Sequence, residues 1–219
     1  YQAGSSFTYT FDGSKIVVFY GEPTPYTISQ GIFIQWLPAD RGNGYIMPGV
    51  WYIGFEPVDI RYGVVNMWLP SIEVVGLSTG FLAPSPETTL TIPAAARNVI
   101  TVGAYNAMTD SMASFSGRGN TTDGRYKPVI VAPGVDIMSA APGGGYSSNT
   151  GTSIAAPFVT GSAALMMEWG IVRGNDAYLY GDKLKAYLIK GARWLPGQTE
   201  VNTQAGWGAL CLRDSLPFI

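Results

Sequence analysis

The chain has 219 residues, of which 47% are hydrophobic and 13% are charged, so it is long and apolar enough to bury a sizeable core. Its 13 basic and 15 acidic side chains give a net charge of -2, which lacks the basic surface that nucleic-acid binding requires and argues against a nucleic-acid partner. One cysteine cannot form an internal disulfide, and a chain without histidine cannot by itself assemble a Ser-His-Asp or Cys-His catalytic site.

Residues 1–92 predict an all-β region. Short runs of aromatic and β-branched residues alternate with Gly, Pro, Asn and Asp at intervals typical of an antiparallel sandwich. The predicted strands are Phe7–Phe11, Ile16–Tyr20, Ile32–Leu37, Gly49–Phe55 and Val64–Leu69.

Residues 93–219 predict parallel α/β structure, because strands alternate with long helical patterns. The strands are predicted at Val99–Tyr105 and Val129–Ala132, and the helices at Thr152–Trp169 and Asp182–Ala192. The first helix is apolar nearly all round, as expected of a helix buried inside a domain.

The first predicted helix is also the longest apolar region of the chain. Pro157, Thr160, Gly161 and Ser162 interrupt it, so it falls short of the roughly 18 apolar residues of a membrane span, and no membrane span is predicted. We expect Pro157 to be tolerated because a position early in a helix has no intrahelical amide bond to lose.

The segment Gly151–Gly161 carries the chemistry of the chain and reads Gly-Thr-Ser-Ile-Ala-Ala-Pro-Phe-Val-Thr-Gly. Ser153 stands at the predicted start of the buried helix, where the positive pole and unpaired N–H groups can stabilise a developing oxyanion. This position favours a nucleophile. The alternative is that Ser153 only caps the helix beneath a Gly-rich turn.

This segment resembles the active-site serine motif of the subtilisin-like serine proteases, Gly-Thr-Ser-Met-Ala-Ala/Ser-Pro-His-Val-Ala-Gly. Residues 91–104, 115–119 and 127–135 resemble successive segments of the same family in the same order, so the resemblance covers roughly residues 88–216. It implies that Ser153 is the catalytic nucleophile and that its backbone N–H is one oxyanion donor. It also implies the carboxy-terminal part of a subtilisin-like α/β/α domain with a parallel sheet, and a cis peptide bond at Ile92–Pro93.

Two departures from the family pattern matter. Phe158 replaces a His that usually follows the Pro of the motif, but that His is not the catalytic base of the family. The catalytic Asp, the catalytic His and the oxyanion-hole Asn belong to an amino-terminal part whose motifs do not occur in this chain. The resemblance therefore implies that the chain is the carboxy-terminal portion of a protease. The expected partners are the amino-terminal portion of the same protease, a prodomain, and a protein or peptide substrate.

Residues 64–70 and 81–90 resemble the jelly-roll insertion of clostridial subtilases, including the spore-germination (Csp) subgroup. Residues 180–185, 191–193 and 206–211 fit that subgroup too. The resemblance implies that residues 1–87 are part of an all-β jelly-roll (sandwich) insertion and that residues 88–219 are the carboxy-terminal portion of the protease domain. The implied function is a serine endopeptidase that activates a spore cortex-lytic pro-enzyme during germination. The implied location is a spore-associated or secreted bacterial protein.

Two other functions stay open. Some members of the subgroup are inactive, so the chain could belong to an inactive subtilase that acts as a regulatory binding protein. A jelly roll can also be a glycan-binding module, in which Trp36, Trp51, Trp68, Tyr45 and Tyr52 would form a stacking platform rather than pack in a core.

Other candidate sites are weaker. None of the five lysines (Lys15, Lys127, Lys183, Lys185, Lys190) stands at Ser-x-x-Lys spacing from Ser153, which disfavours a Ser-Lys dyad. Asp136 is interpreted as a turn residue, residues 143–145 as a close backbone approach, and Cys211 as a small buried apolar residue. No cofactor is predicted. Relatives of subtilisin bind calcium, but no carboxylate cluster here has a spacing that assigns a calcium site.

Overall fold

The computed structural model describes residues 2–22, 25, 30–39, 46–56 and 63–216. The chain divides into two compact units, Tyr1–Val65 and Asn66–Ile219. The domain division after residue 87 that the sequence suggests stays a prediction.

The first unit is a three-stranded antiparallel sheet. Its strands are β1 (Ser6–Phe11), β2 (Ser14–Tyr20) and β3 (Ile32–Pro38), in the order β1-β2-β3. Asp12 and Gly13 connect β1 to β2 with φ angles of 45° and 74°, the two positive values that a two-residue hairpin turn of the right twist requires. The first three predicted strands are confirmed.

One face of this sheet is apolar apart from Ser14. Side chains alternate across a strand, and the register places Phe7 opposite Val18 and Val18 opposite Ile34, so the same face carries apolar side chains on all three strands. This face comprises Phe7, Tyr9, Phe11, Ser14, Ile16, Val18, Tyr20, Ile32, Ile34, Trp36 and Pro38. Trp51 packs on it edge-on, with its ring 6.2 Å from that of Phe11 and 6.1 Å from that of Trp36.

Among the aromatic residues considered for a glycan platform, Trp36 and Trp51 do not form a flat stacking surface. The rings of Trp36 and Trp51 meet at 64°, so they share no plane on which a sugar could stack. Trp68 lies in the second unit, where its Nε1 donates to the Thr88 carbonyl over 2.8 Å. Tyr52 is 87% exposed, and Tyr45 lies outside the described residues.

Two predicted strands are wrong. Residues 49–55 and 64–69 have irregular backbone, and a single helical turn, α1 (Ile72–Val75), follows them. An apolar run becomes a strand only when a neighbouring strand binds its N–H and C=O groups, and in the described part of the chain neither run has one. The all-β prediction for residues 1–92 was therefore too broad, and a second sheet of a sandwich stays a prediction.

The second unit is built on a mixed sheet. Its strands are β4 (Val102–Asn106), β5 (Ser111–Met112) and β6 (Ile130–Pro133), in the order β5-β4-β6. β4 and β6 are parallel, and Ala209 adds a parallel bridge to Val131 on the far side of β6. The parallel α/β prediction is confirmed for these strands, with boundaries shifted by one to three residues.

A hairpin that the sequence did not predict follows β6. It consists of β7 (Ile137–Ala140) and β8 (Tyr146–Asn149). Its turn holds residues 143–145, whose φ angles of 82°, 102° and 78° favour glycine. No atom lies within 4 Å of where their Cβ atoms would stand, so the close backbone approach predicted for them was wrong.

Besides α1, the helices described in the second unit are α2 (Thr152–Met167), α3 (Gly181–Lys190) and α4 (Leu212–Ser215). A π-helical turn, Glu168–Val172, extends α2. α2 packs on β4 and β6, and α3 packs on α4. The core of the unit joins these elements through Ala104, Ile130, Ala132, Ala155, Val159, Met166, Leu184 and Leu188.

The helix Thr152–Val172 has a mean hydropathy of 1.2 and is, by length and composition alone, long enough to cross a membrane. The π-helical turn gives it this length. The core helix of a globular domain meets the same criterion, and α2 buries Ala155, Val159 and Met166. The prediction of no membrane span stays a prediction.

Candidate active site

Ser153 is the second residue of α2, and its side chain is exposed. The Gly151 N–H, one residue before the helix, donates to the Gly134 carbonyl over 2.8 Å, and Gly134 follows the last residue of β6. α2 therefore begins at the carboxyl end of a parallel strand. In open α/β sheets that is where ligands bind.

Gly134 allows this approach of strand and helix. A Cβ atom at residue 134 would lie 2.7 Å from the Ala104 Cβ and 2.9 Å from the Gly151 carbonyl oxygen, which no real side chain tolerates. The Gly134 N–H is also bonded, to the Tyr105 carbonyl at 3.0 Å. The backbone around Ser153 is thus held by β4 and β6 together.

The start of α2 offers free hydrogen-bond donors beside Ser153. The N–H groups of Ile154 and Ala155 already donate to the Gly151 carbonyl, at 3.1 and 3.3 Å. Within the described residues, the Thr152 and Ser153 N–H groups have no acceptor. Such groups, at the positive end of a 16-residue helix, favour an oxygen that carries negative charge.

Pro157 lies further into the helix than the sequence analysis assumed. It is the sixth helical residue, and an N–H there would have bonded the Ser153 carbonyl. The expectation that Pro157 costs no intrahelical bond was therefore wrong. The proline removes one hydrogen bond of the helix, the one that the Ser153 carbonyl would accept from an N–H at residue 157.

No base contacts the Ser153 hydroxyl among the residues that the structure describes. Two of the five lysines are bound elsewhere. Lys127 Nζ has four oxygen acceptors, and Lys183 Nζ lies 2.6 Å from Asp176 Oδ2, a pairing that raises the pKa of Lys183 and lowers that of Asp176. A Ser-Lys dyad would need a lysine whose Nζ is not already held by other hydrogen bonds or by an ion pair.

Asp136 lies in the turn between β6 and β7 with a φ of 53°, as its interpretation as a turn residue requires. Its N–H donates to Thr150 Oγ1 over 2.9 Å. It therefore supports the loop that leads into α2 rather than holding a histidine.

Cys211 is half-buried, and its Sγ donates to Asp214 Oδ2 over 3.2 Å. The prediction that it is a small buried apolar residue was wrong. The residue is not fully buried, and the turn Leu212–Ser215 brings a carboxylate next to its thiol. In the described part of the chain, no three carboxylate or thiol groups gather as a metal site would require.

A shallow cavity of about 370 Å³ lies elsewhere in the second unit. Residues 109–112, 195–198, 202, 204 and 205 line it, and none of them belongs to α2. Asp110 at its edge is bonded to Arg193 over 3.1 Å. The cavity is not part of the Ser153 region.

Of two features in the loops around β4 and β6, the sequence analysis predicted one and missed the other. The peptide bond Ile92–Pro93 is cis, as the resemblance implied. The burial of the Lys127 ammonium group could not be predicted from the sequence. Its acceptors lie 26 to 33 residues earlier in the chain, and three of them are backbone carbonyls, which leave no trace in the choice of side chains.

Comparison with known proteins adds family evidence to this geometry. Residues 82–208 match the model of the subtilase family. The chain is 31% identical to the serine protease AprX of Bacillus subtilis over 175 residues, which cover 70% of this chain and 37% of AprX. It is 40% identical to the subtilisin of Bacillus pumilus over 147 residues, which cover 65% of this chain and 49% of that protein.

Among solved structures, the chain is similar to the CspB protease of Clostridium perfringens. The identity is 35% and the TM-score is 0.76, over 98% of this chain and 45% of CspB. The chain thus spans less than half the length of each of these three relatives.

Proposed function

From the premise that this chain belongs to the subtilase family of serine proteases, we propose that it carries the nucleophile of a serine endopeptidase and that Ser153 is that nucleophile. One observation carries the proposal. Ser153 is exposed at the start of α2, beside N–H groups without an acceptor, inside the region that matches the family model.

The proposed chemistry is acyl transfer. The Ser153 Oγ attacks the carbonyl carbon of a peptide bond while its proton passes to a histidine, and the π electrons of the carbonyl move onto its oxygen. The Ser153 N–H donates to that oxyanion. The intermediate collapses when the C–N bond breaks and the histidine returns its proton to the leaving amine, and water then hydrolyses the acyl-enzyme.

We assign the histidine and its orienting aspartate to the amino-terminal portion of the same protease, since this chain has no histidine. The exposed side of α2 supports such a partner. Phe158 and Leu165, seven residues apart and therefore on one helix face, are 40% and 54% exposed. Apolar side chains of this size on a helix of the domain interior fit a surface that further protein covers.

We also propose that the β-rich residues belong to a jelly-roll insertion and that the protease acts in spore germination. The apolar face of the β1-β2-β3 sheet, with Trp51 lying on it, is of the kind that one sheet of a sandwich turns towards the other. Similarity to the CspB protease supports a substrate of the kind that the Csp subgroup cleaves, a spore cortex-lytic pro-enzyme. The location would then be spore-associated or secreted.

The test is active-site labelling of the protein expressed at its natural length. A fluorophosphonate probe should label it, and Ser153→Ala should abolish both the label and peptide hydrolysis. Ser148→Ala is the matched control, because Ser148 is an exposed serine on β8, five residues earlier. Labelling that persists in Ser153→Ala refutes the assignment. A folded wild-type protein that takes no label and cleaves no peptide would favour an inactive, regulatory subtilase instead.

A further inference from the structure

The segment that leads into α2 is joined to the segment after β6 by a side chain as well as by the backbone. The backbone contact is the bond from the Gly151 N–H to the Gly134 carbonyl, of 2.8 Å. Beside it, the Asp136 N–H donates to Thr150 Oγ1 over 2.9 Å. The Thr150 hydroxyl donates in return to Asp136 Oδ1 over 3.4 Å, which is a long bond. The pair of Asp136 and Thr150 is called the clamp below.

The clamp stands where the ladder of the β7-β8 hairpin ends. β7 and β8 pair antiparallel, and Ile137 opposite Asn149 is the pair nearest to α2. Continuing this register by one residue would place Asp136 opposite Thr150. There the threonine hydroxyl accepts the Asp136 N–H in place of a strand carbonyl. The hairpin is therefore closed by a side chain, and α2 begins two residues later.

Asp136 has a backbone conformation that most residues avoid. Its φ angle is 53°, in the left-handed region, which asparagine and aspartate tolerate better than other residues with a Cβ atom. Residues held in this region concentrate at functional sites, where the surrounding contacts maintain them. Asp136 thus combines an unusual backbone with both bonds of the clamp.

The clamp holds the residue that precedes the free N–H groups. Gly151 follows Thr150 directly, and its carbonyl accepts from the Ile154 N–H over 3.1 Å. A peptide unit is planar, so the direction of the Gly151 carbonyl also sets the direction of the Thr152 N–H. Gly151 is bonded on both sides, and the clamp fixes the chain where it enters this residue.

Donors stabilise an oxyanion best when they already point at it, and a misplacement of about 1 Å can cost roughly a hundredfold in rate. We propose that Asp136 and Thr150 are positioning residues for the reaction of Ser153. The clamp keeps the serine and the N–H groups at the start of α2 in the geometry that the oxyanion needs, without contact with the substrate. This inference rests on the proposed function of Ser153.

The exposure of the clamp separates this role from a role in stability. Asp136 and Thr150 are both exposed. Substitutions at exposed positions usually change stability little. Loss of the clamp should therefore lower the rate of the reaction much more than the stability of the fold.

The test is Thr150→Val, which keeps the shape of the side chain and removes the hydroxyl, in the protein at its natural length. We expect kcat to fall roughly ten- to a hundredfold at an almost unchanged KM. The affinity for a peptide boronate, an analogue of the tetrahedral intermediate, should fall in parallel with kcat. Thr150→Ser keeps the hydroxyl and should keep most of the activity. The melting temperature of both variants should stay near that of the wild type.

Two variants of Asp136 separate its carboxylate from its backbone. Asp136→Gly adopts the left-handed conformation without strain but removes the bond to Thr150, so it should lower kcat. Asp136→Asn keeps an oxygen acceptor and tolerates the same conformation, so it should retain most of the activity. If Asp136→Gly has the kcat of the wild type, the carboxylate is not part of the clamp and the proposal is wrong.

The matched control is Thr109→Val. Thr109 is an exposed threonine whose Oγ1 lies 2.7 Å from Ser111 Oγ, in the cavity away from Ser153, so its loss should leave kcat unchanged. A wild-type kcat for Thr150→Val would overturn the proposal. The same holds if its loss of activity is no larger than its unfolded fraction explains. A wild type that takes no fluorophosphonate label would refute the proposed function itself, and this inference with it.

Discussion

The Gly151 N–H donates to the Gly134 carbonyl over 2.8 Å, and this bond fixes the start of α2 against the end of β6. Ser153 follows two residues later, so its position depends on how closely strand and helix approach. The absence of a side chain at residue 134 sets that approach.

We expect Gly134→Ala to destabilise the fold and to misplace Ser153. The added Cβ would meet Ala104 Cβ at 2.7 Å, and overpacking of this kind costs about 1–3 kcal/mol. Urea unfolding and kcat for peptide hydrolysis measure the two effects. Gly80→Ala is the control, because residue 80 has open space around it and should change stability by less than about 0.5 kcal/mol. Equal stabilities of the two variants would contradict the role of Gly134.

Phe158→His, which restores the residue usual in the family, should leave the pH profile of kcat/KM unchanged. Residue 158 lies five positions after Ser153 in α2, about 140° around the helix and 7.5 Å along it, so its side chain cannot reach the Ser153 hydroxyl. Phe158→Ala serves as the packing control and should change activity in the same way as Phe158→His. A new ionisation near pH 6.5 that appears only with histidine would show that residue 158 takes part in proton transfer.

The stability contribution of Lys127 should grow at alkaline pH. Burial lowers its pKa from the usual 10.5 to about 8, so between these values the unfolded chain keeps a proton that the folded chain has released. The free energy of unfolding of wild type minus that of Lys127→Met should therefore be constant below pH 8 and rise from pH 8 to 10.5. Chemical denaturation at several pH values measures it. A difference that stays constant over this window and falls only above pH 10.5 would mean that hydrogen bonding to the four oxygens outweighs burial.

Trp51→Ala should destabilise the first unit, whereas Tyr52→Ala should not. Trp51 makes edge-on contacts with Phe11 and Trp36, and each such pair contributes about 0.5–1.5 kcal/mol beyond the area it buries. The neighbouring Tyr52 is 87% exposed, and its loss should cost less than about 0.5 kcal/mol. Hydrogen exchange of the β2 amides would assign the effect to this sheet. Equal effects of the two substitutions would contradict the packing of Trp51.

The parts of the fold that sequence analysis predicted are those with a strong local pattern. β6 and α2 are nearly continuous apolar runs, and buried parallel strands and core helices have this composition. Residues 49–55 have an equally good strand pattern and form none, because pairing depends on a neighbour far away in the sequence. The hairpin of β7 and β8 was missed because its strands have a weak local pattern although they do pair. Its strands are short and rich in serine, and only the glycines between them mark a turn.

The same division applies to the candidate site. Ser153 stands in a motif whose residues all lie within 11 positions, so it could be recognised from the sequence. The role of Gly134 depends on Ala104 and Gly151, which lie 30 and 17 residues away. Contacts of that range follow from the packing of α2 on β4 and β6, which local pattern does not encode.

The attachment of the Lys127 ammonium to the chain has a consequence for the conditions in which residues 94–101 keep their shape. A dissolved ion leaves its site on dialysis or in the presence of a chelator. An ion at the end of a side chain faces its ligands at an effective concentration that dilution does not change. The segment before β4 should therefore be equally ordered at low and at high salt concentration. Its shape then does not depend on a dissolved ion.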